Sequence, residues 1–369
     1  MSRSIRAFID LAALEHNLTV VRRYAAHTRI MAVIKADAYG HGLLHTAKAL
    51  RKADGFAMLE LDAAIRLRDA GYQQSILLLE GFFSVSELAQ CKKYRLSAVI
   101  HNHEQLAMLS ASKHGRLDVF LKINTGMNRL GFAPEQFLSV LGALKANPAI
   151  GHITLMTHFS SASDTDGDQE VIKQLQCFNS MTTSHSYPRS LANSAAVIRY
   201  PETHADWVRP GIMLYGASPL TNKTAAELNL HPAMTVTSKI IALQYLQSGN
   251  KVGYSGCFQA DRPMLIGIVA GGYADGYPRH APTGTPVLVN NQRTRILGRV
   301  SMDMLTVDLS GIKDAELNSP VILWGKGMPI DEVANAANTI SYELLCALTP
   351  RVTKTAQDHT LTHCARGGL

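Results

Sequence analysis

Met31-Ala32-Val33-Ile34-Lys35-Ala36-Asp37-Ala38-Tyr39-Gly40-His41-Gly42 begins as an apolar run, turns polar at a lysine, and leads into helical spacing over residues 43–53. A second apolar run follows at 56–59. A strand buried on both faces reads as a continuous apolar run, and a helix between two such strands makes a parallel crossover. The alternation continues down the chain. Helical segments at 61–70, 85–94, 104–110, 135–146 and 168–181 separate apolar runs at 75–79, 97–100, 119–123 and 153–157. Two further runs at 190–192 and 205–208, with 195–200 between them, bring the total to eight. Eight such units in about 200 residues predict a (β/α)8 barrel, since an open doubly wound sheet has no preference for that number. The amphipathic segment 10–25 lies ahead of the first barrel strand, with Asp10 as its N-cap.

Beyond about residue 230 the texture changes. Segments 233–245, 263–270, 286–289, 293–300, 304–309 and 320–324 are rich in Val, Ile, Leu and Thr and are separated by turn signals such as Asn290-Asn291. They predict a mostly-β unit, interrupted by one helical segment near 331–338. The expected class is α/β, with an N-terminal (β/α)8 TIM barrel over 1–229 and a C-terminal mostly-β domain over 230–369. The extreme N-terminus is expected to pack with the second domain.

Composition agrees with two folded domains. The chain has 369 residues, against a typical ~150 per domain. Its 46% hydrophobic and 18% charged residues exclude a disordered chain. The longest apolar run, 264–272, is far shorter than the roughly 18 residues of a membrane span, so no membrane association is expected. The net charge of +7 comes from scattered Lys and Arg without a run of four. That is a mildly basic surface suited to anionic ligands, and no nucleic-acid partner is expected. Five widely spaced cysteines without a CxxC, and an N-terminus without an apolar signal core, point to a reducing, cytoplasmic setting.

Functional side chains of such barrels gather at the carboxyl ends of the strands. Here those ends carry Lys35, His101, Lys122, His158, Asn193 with Ser194, and Arg209. So many reactive or anion-binding groups at strand ends favour a site over coincidence. Partial burial at a barrel mouth disfavours an ammonium, and a neutral lysine amine can attack a carbonyl. On spacing alone, a lysine snorkelling from a strand end is the commoner arrangement for Lys35. Lys122, followed by Arg129, suits either an anion clamp or a structural ion pair, and the local pattern does not separate them. Arg209-Pro210-Gly211-Ile212 leaves backbone N–H groups open where barrels commonly hold phosphate, with Asn193-Ser194 as further donors, although a glycine there also makes a plain turn. His101-Asn102-His103-Glu104 lacks the HExxH spacing of a zinc site, and Trp324-Gly325-Lys326-Gly327 lacks the rest of a P-loop, so no metal or nucleotide motif is expected.

Taken together, Val33-Ile34-Lys35-Ala36-Asp37-Ala38-Tyr39-Gly40-His41-Gly42, Asn124-Thr125-Gly126-Met127 with Arg129-Leu130-Gly131, Arg209-Pro210-Gly211-Ile212 with Leu214-Tyr215-Gly216, and Gly298-Arg299-Val300 with Met302-Asp303-Met304 resemble the alanine racemases. The resemblance runs over nearly the whole chain, from Ile9-Asp10 to Pro350-Arg351. It implies dependence on pyridoxal 5'-phosphate (PLP), a barrel with a β domain, and a head-to-tail homodimer that shares its sites. Lys35 matches the lysine that holds PLP. Tyr39, Ser194, Gly211, Ile212 and Tyr342 match groups around its phosphate, and Arg209 matches the arginine facing its ring nitrogen. Tyr254 matches a tyrosine entering from the other subunit, and His158 the histidine linking that tyrosine to the arginine. Lys122 matches a lysine often carbamylated in the family, which orients Arg129. Met302 and Asp303 match positions lining the substrate carboxylate pocket, and Tyr273, Arg279 and Arg299 resemble residues of the access channel. Ser301, and Gly271-Gly272 before Tyr273, depart from the usual pattern, and the latter bears on channel packing.

The implied activity is the interconversion of L-alanine and D-alanine, which supplies D-alanine for peptidoglycan. Racemisation needs a proton removed from one face of a planar adduct and returned to the other, so two bases, Lys35 and Tyr254, are the economical solution. A broader amino-acid racemase is the nearest alternative, but such relatives usually carry a secretion signal and paired cysteines. A PLP-binding protein without turnover would resemble the barrel alone. PLP decarboxylases with a similar barrel place an acidic residue where this chain has Arg209.

Overall fold

The computed structural model describes residues 3–112 and 115–357, so the extreme ends of the two expected domains, with Cys364, lie outside the described residues. Strand β1 (Arg6–Asp10) leads into the helix Leu11–Tyr24. Eight parallel strands then close into a barrel in chain order: β2 (Arg29–Val33), β3 (Gly55–Met58), β4 (Ser75–Leu78), β5 (Ser97–Ile100), β6 (Leu117–Lys122), β7 (Ile150–Met156), β8 (Arg189–Asn193) and β9 (Trp207–Arg209). The ring closes where Ile30 of β2 pairs with Val208 of β9. Residues of β3 and β5 are buried throughout, which is why these strands read as unbroken apolar runs. Asp10, Ser84, Asn102 and Asn193 each accept a backbone N–H three residues on, so four helices start at a side-chain cap worth about 1 kcal/mol.

The second unit is one sheet. Its strands are β10 (Met234–Leu246), β13 (Met264–Ala270), β14 (Pro286–Val289), β15 (Gln292–Leu297), β16 (Met304–Asp308), β17 (Pro320–Trp324) and β18 (Thr353–Gln357), joined by β1. The order is β13-β16-β15-β14-β17-β10-β1-β18, and the long β10 also pairs with β13 past a bulge between Ile240 and Ala242. A separate ribbon, β11 (Lys251–Val252) with β12 (Phe258–Gln259), carries Tyr254 at its tip. β1 runs antiparallel to β10 and parallel to β18, so the chain starts in this sheet and enters the barrel through the Asp10-capped helix. One hydrophobic core runs from the barrel into the sheet.

Three local expectations need adjusting. The last barrel strand lies slightly later than 205–208, so Arg209 is inside β9 rather than after it. The helical stretch near 331–338 is the helix Ile330–Ala336, and a second helix, Ser341–Ala347, follows after Asn338 turns left-handed at φ 53°. β18 gives no apolar run because it alternates exposed and half-buried residues at the sheet edge.

Candidate active site

The carboxyl ends of the barrel strands open into a cavity of about 900 Å³. Lys35, Tyr39, Lys122, Arg129, His158, Asn193, Ser194, Arg209, Gly211, Ile212 and Tyr342 all line it. The closed barrel converges these side chains from β2, β6, β7, β8 and β9, while the helix Ser341–Ala347 brings Tyr342 from the β domain.

Lys35 follows β2 almost directly, and the backbone after it turns left-handed. Ala36, Asp37, Ala38 and Tyr39 have φ of 53°, 51°, 56° and 50°. L-residues in this region cost about 1–2 kcal/mol each, so neighbours must hold the turn. Asp37 Oδ1 accepts the Leu43 N–H at 2.9 Å, and the Asp37 carboxylate pairs with Lys354 of β18 at 3.3 Å. Gly40 ends the turn at φ 76°, where a Cβ would lie 2.3 Å from the Leu345 carbonyl oxygen.

Tyr39 points its hydroxyl at Gly211. A Cβ on Gly211 would sit 2.6 Å from Tyr39 Oη, so only glycine leaves this cradle open. The Gly211 N–H donates to Ser194 Oγ at 2.8 Å. Tyr39 stacks on Tyr215 at 4.6 Å and lies 5.9 Å from Tyr342. Burial, then the neighbouring Tyr342, raises the Tyr39 phenol above its ordinary value, and burial pushes Tyr342 up to about 12. Both phenols are therefore neutral donors. Hydroxyls and backbone N–H groups around an open glycine suit a phosphate.

Arg209 is buried and tightly held. It donates to Ser190 Oγ at 2.6 Å, Thr157 O at 2.8 Å and Leu191 O at 3.2 Å. Burial lowers its guanidinium to about 9, which still leaves it charged at neutral pH. His158 Nδ1 lies 3.4 Å from Arg209 Nη2. Burial, then the Arg209 charge, holds His158 well below the usual imidazole range, so it is neutral. Arginine can only donate, so Nδ1 accepts and Nε2 carries the proton. Lys122 is pushed down to about 8 by burial, then by Arg209 and Arg129, with Glu80 opposing.

His101, also singled out at a strand end, lines the cavity as well, with Nε2 3.1 Å from Glu80 O, whereas Tyr254, Met302, Asp303, Tyr273, Arg279 and Arg299 do not line it. Tyr254, 67% exposed, stands at the tip of the β11–β12 ribbon. Arg299 reaches Ser255 Oγ at 3.3 Å, the Arg279 guanidinium lies 5.5 Å from the Tyr273 ring centre, and the Tyr273 N–H donates to Ser301 O. Met302 is 52% exposed, and Asp303 pairs with Arg351 at 2.6 Å and Arg3 at 3.7 Å. The stretch from Arg299 to Ser301 thus bonds Ser255, next to Tyr254, as well as Arg279 and Tyr273, on the β domain.

Two supporting residues had no assigned role in the sequence reading. Tyr215, fully buried, donates its hydroxyl to Val33 O at 2.9 Å and backs the Tyr39 ring. Asp331 accepts from Ser341 Oγ and from the Ser218 N–H at 3.1 Å, which fastens the helix carrying Tyr342 to the barrel loop. The Leu214-Tyr215-Gly216 motif was a signal for the first. Nothing local marks Asp331, because both of its partners lie elsewhere in the chain.

A closed parallel barrel with an anion cradle at its mouth, where buried Arg209 and Lys122 flank the half-buried His158, joined to a β sheet that contributes one wall, defines a two-domain barrel enzyme class. Residues 9–219 match the family "Alanine racemase, N-terminal domain" and residues 233–356 match "Alanine racemase, C-terminal domain". The chain belongs to the alanine racemase family. The alanine racemase of Nitrosospira multiformis is 64% identical over 95% of this chain and 99% of its own length. The crystal structure of the biosynthetic alanine racemase from Pseudomonas aeruginosa superposes with a TM-score of 0.94 at 44% identity, covering 96% of this chain and all of that one. The Bartonella henselae alanine racemase, solved with covalently bound pyridoxal phosphate, has a TM-score of 0.87 at 26% identity, covering 96% of this chain and 99% of that one.

Proposed function

We propose that this protein interconverts L-alanine and D-alanine with PLP, using Lys35 and Tyr254 as the two bases, and that each site is completed by a second copy of the chain. The observation that carries this reading is the division of the two bases. Lys35 lines the cavity, whereas Tyr254 stands exposed on the β domain outside that lining. A head-to-tail homodimer would bring the Tyr254 surface of one copy to the cavity of the other.

The cavity residues fit the cofactor. Gly211, Ile212, Ser194 and the neutral hydroxyls of Tyr39 and Tyr342 would hold the phosphate, with Asn193 beside them, and Lys35 would bind the aldehyde end. When bound, PLP withdraws electrons from the substrate Cα and acidifies its proton. Lys35 Nζ then moves the proton on the D-alanine face and Tyr254 Oη the proton on the L-alanine face. Arg209 stays protonated and would offer the ring nitrogen only N–H donors, which would leave the ring a weaker electron sink than a carboxylate partner would. Neutral His158, with its Nδ1 occupied by Arg209, would offer Nε2–H to the partner's tyrosine. Lys122, lowered to about 8, holds enough neutral amine near neutral pH to add CO2 as a carbamate, releasing a proton, and that new negative charge would orient Arg129 toward the substrate carboxylate. Met302 and Asp303 would close the carboxylate pocket, and Tyr273, Arg279 and Arg299 would line the access channel. The setting is the cytoplasm and the product D-alanine for peptidoglycan.

Mixing inactive Lys35→Ala and Tyr254→Phe chains tests the reading. Heterodimers should regain one working site, read as L-to-D conversion by chiral chromatography. No recovery after confirmed subunit exchange would overturn the shared site.

A further inference from the structure

The left-handed turn between Lys35 and Tyr39 has a brace that the two-base reaction does not use. His41 is buried. Its Nδ1 lies 2.8 Å from Tyr39 O and 3.1 Å from Ala38 O. Carbonyl oxygens only accept, so Nδ1 carries the proton and spans two residues of the turn. Nε2 is buried and has no hydrogen-bond partner among the described residues, as a bare acceptor would be. Burial pushes the imidazole down to about 4, so it stays neutral and keeps this tautomer at working pH. The ring also lies 4.7 Å from Tyr215, which in turn stacks on Tyr39. One side chain therefore holds the backbone of the turn and backs the ring that supports Tyr39.

Resting on the PLP reading above, we propose that His41 is a positioning residue that locks the left-handed turn and so sets the distance between the Lys35 amine and the Tyr39 hydroxyl. A ligand with an aldehyde at one end and a phosphate at the other is then matched at both ends at once. Without the brace, the strained residues can relax toward ordinary backbone, and the two ends lose their common register.

The test compares two aldehydes on full-length apoprotein: PLP, which needs both ends, and pyridoxal, which lacks the phosphate and needs only Lys35. Affinities are read by titration, and attachment by borohydride fixation followed by peptide mapping of Lys35. In His41→Leu, which keeps bulk but removes the donor, the preference for PLP over pyridoxal should fall about tenfold or more, the size of one lost hydrogen bond to a charged group. His41→Asn, whose Nδ2–H occupies the place of Nδ1–H, should restore the preference. His41→Gln, whose Nε2–H reaches the empty side instead, should not. If His41→Leu does not fold, the Asn and Gln variants decide the matter between them. Equal loss of affinity for both aldehydes, or the same preference in the Asn and Gln variants, would overturn the positioning role. Failure of the wild-type chain to take up either aldehyde would overturn the cofactor reading, and this inference with it.

Discussion

Gly211→Ala is the sharpest probe of the phosphate cradle. The added Cβ would stand 2.6 Å from Tyr39 Oη and 3.3 Å from Tyr39 Cζ. An ordinary carbon–oxygen approach is about 3.3 Å, so the hydroxyl must retreat by roughly 0.7 Å. Tyr39 has little room to do so, because its ring lies against Tyr215 at 4.6 Å and near Tyr342 at 5.9 Å. Gly211 also has φ −120° and ψ −91°, outside the wells that an alanine prefers. Overpacking of this kind costs about 1–3 kcal/mol. If the strain falls on the cradle, PLP affinity should drop about 5- to 150-fold, while pyridoxal affinity stays near the wild-type value. Titration of apoprotein with each aldehyde, alongside thermal melts, separates the local effect from general destabilisation. Unchanged PLP affinity in a folded Gly211→Ala protein would show that this close approach does not shape the phosphate site.

Gly142 lies exposed in the middle of the helix Phe137–Ala146, and an added methyl there would meet nothing within 4 Å, so Gly142→Ala should raise stability by about 1 kcal/mol in denaturant titrations and leave racemisation unchanged. Removing the acceptor in Asp331→Ala should cost about 1–2 kcal/mol and weaken PLP retention during dialysis, because the helix bearing Tyr342 loses its tie to Ser218. Acid should destabilise the protein through His41. Its folded value of about 4 lies below the ordinary 6.5, so the unfolded chain binds the extra proton in that window. The contribution is full above about pH 6.5 and is lost as pH falls toward 4, up to about 3 kcal/mol, and His41→Leu should flatten that part of a pH–stability curve.

The barrel was legible because its physics is local and repeated. Strands such as β3 and β5, buried on both faces, must be apolar throughout, and the helices between them must show one apolar face. Lys35, Lys122, His158 and Arg209 stood out as polar groups at the ends of such runs. Other features are set by partners distant in sequence. β18 pairs with β1, more than 300 residues earlier, and needs no apolar pattern of its own. Four successive left-handed residues after Lys35 run against their own backbone preferences, and contacts such as Lys354 with Asp37 hold them.

The sequence by itself determined the order of strands and helices, the switch to a β domain and the residue types at the barrel mouth, because burial and turn formation act on neighbours along the chain. Only the tertiary structure decided that Tyr39 closes on Gly211, that Asp331 ties down the helix of Tyr342, and that Tyr254 stands away from the cavity holding Lys35. These depend on distances between segments far apart in the chain, which a linear pattern does not encode until packing brings them together.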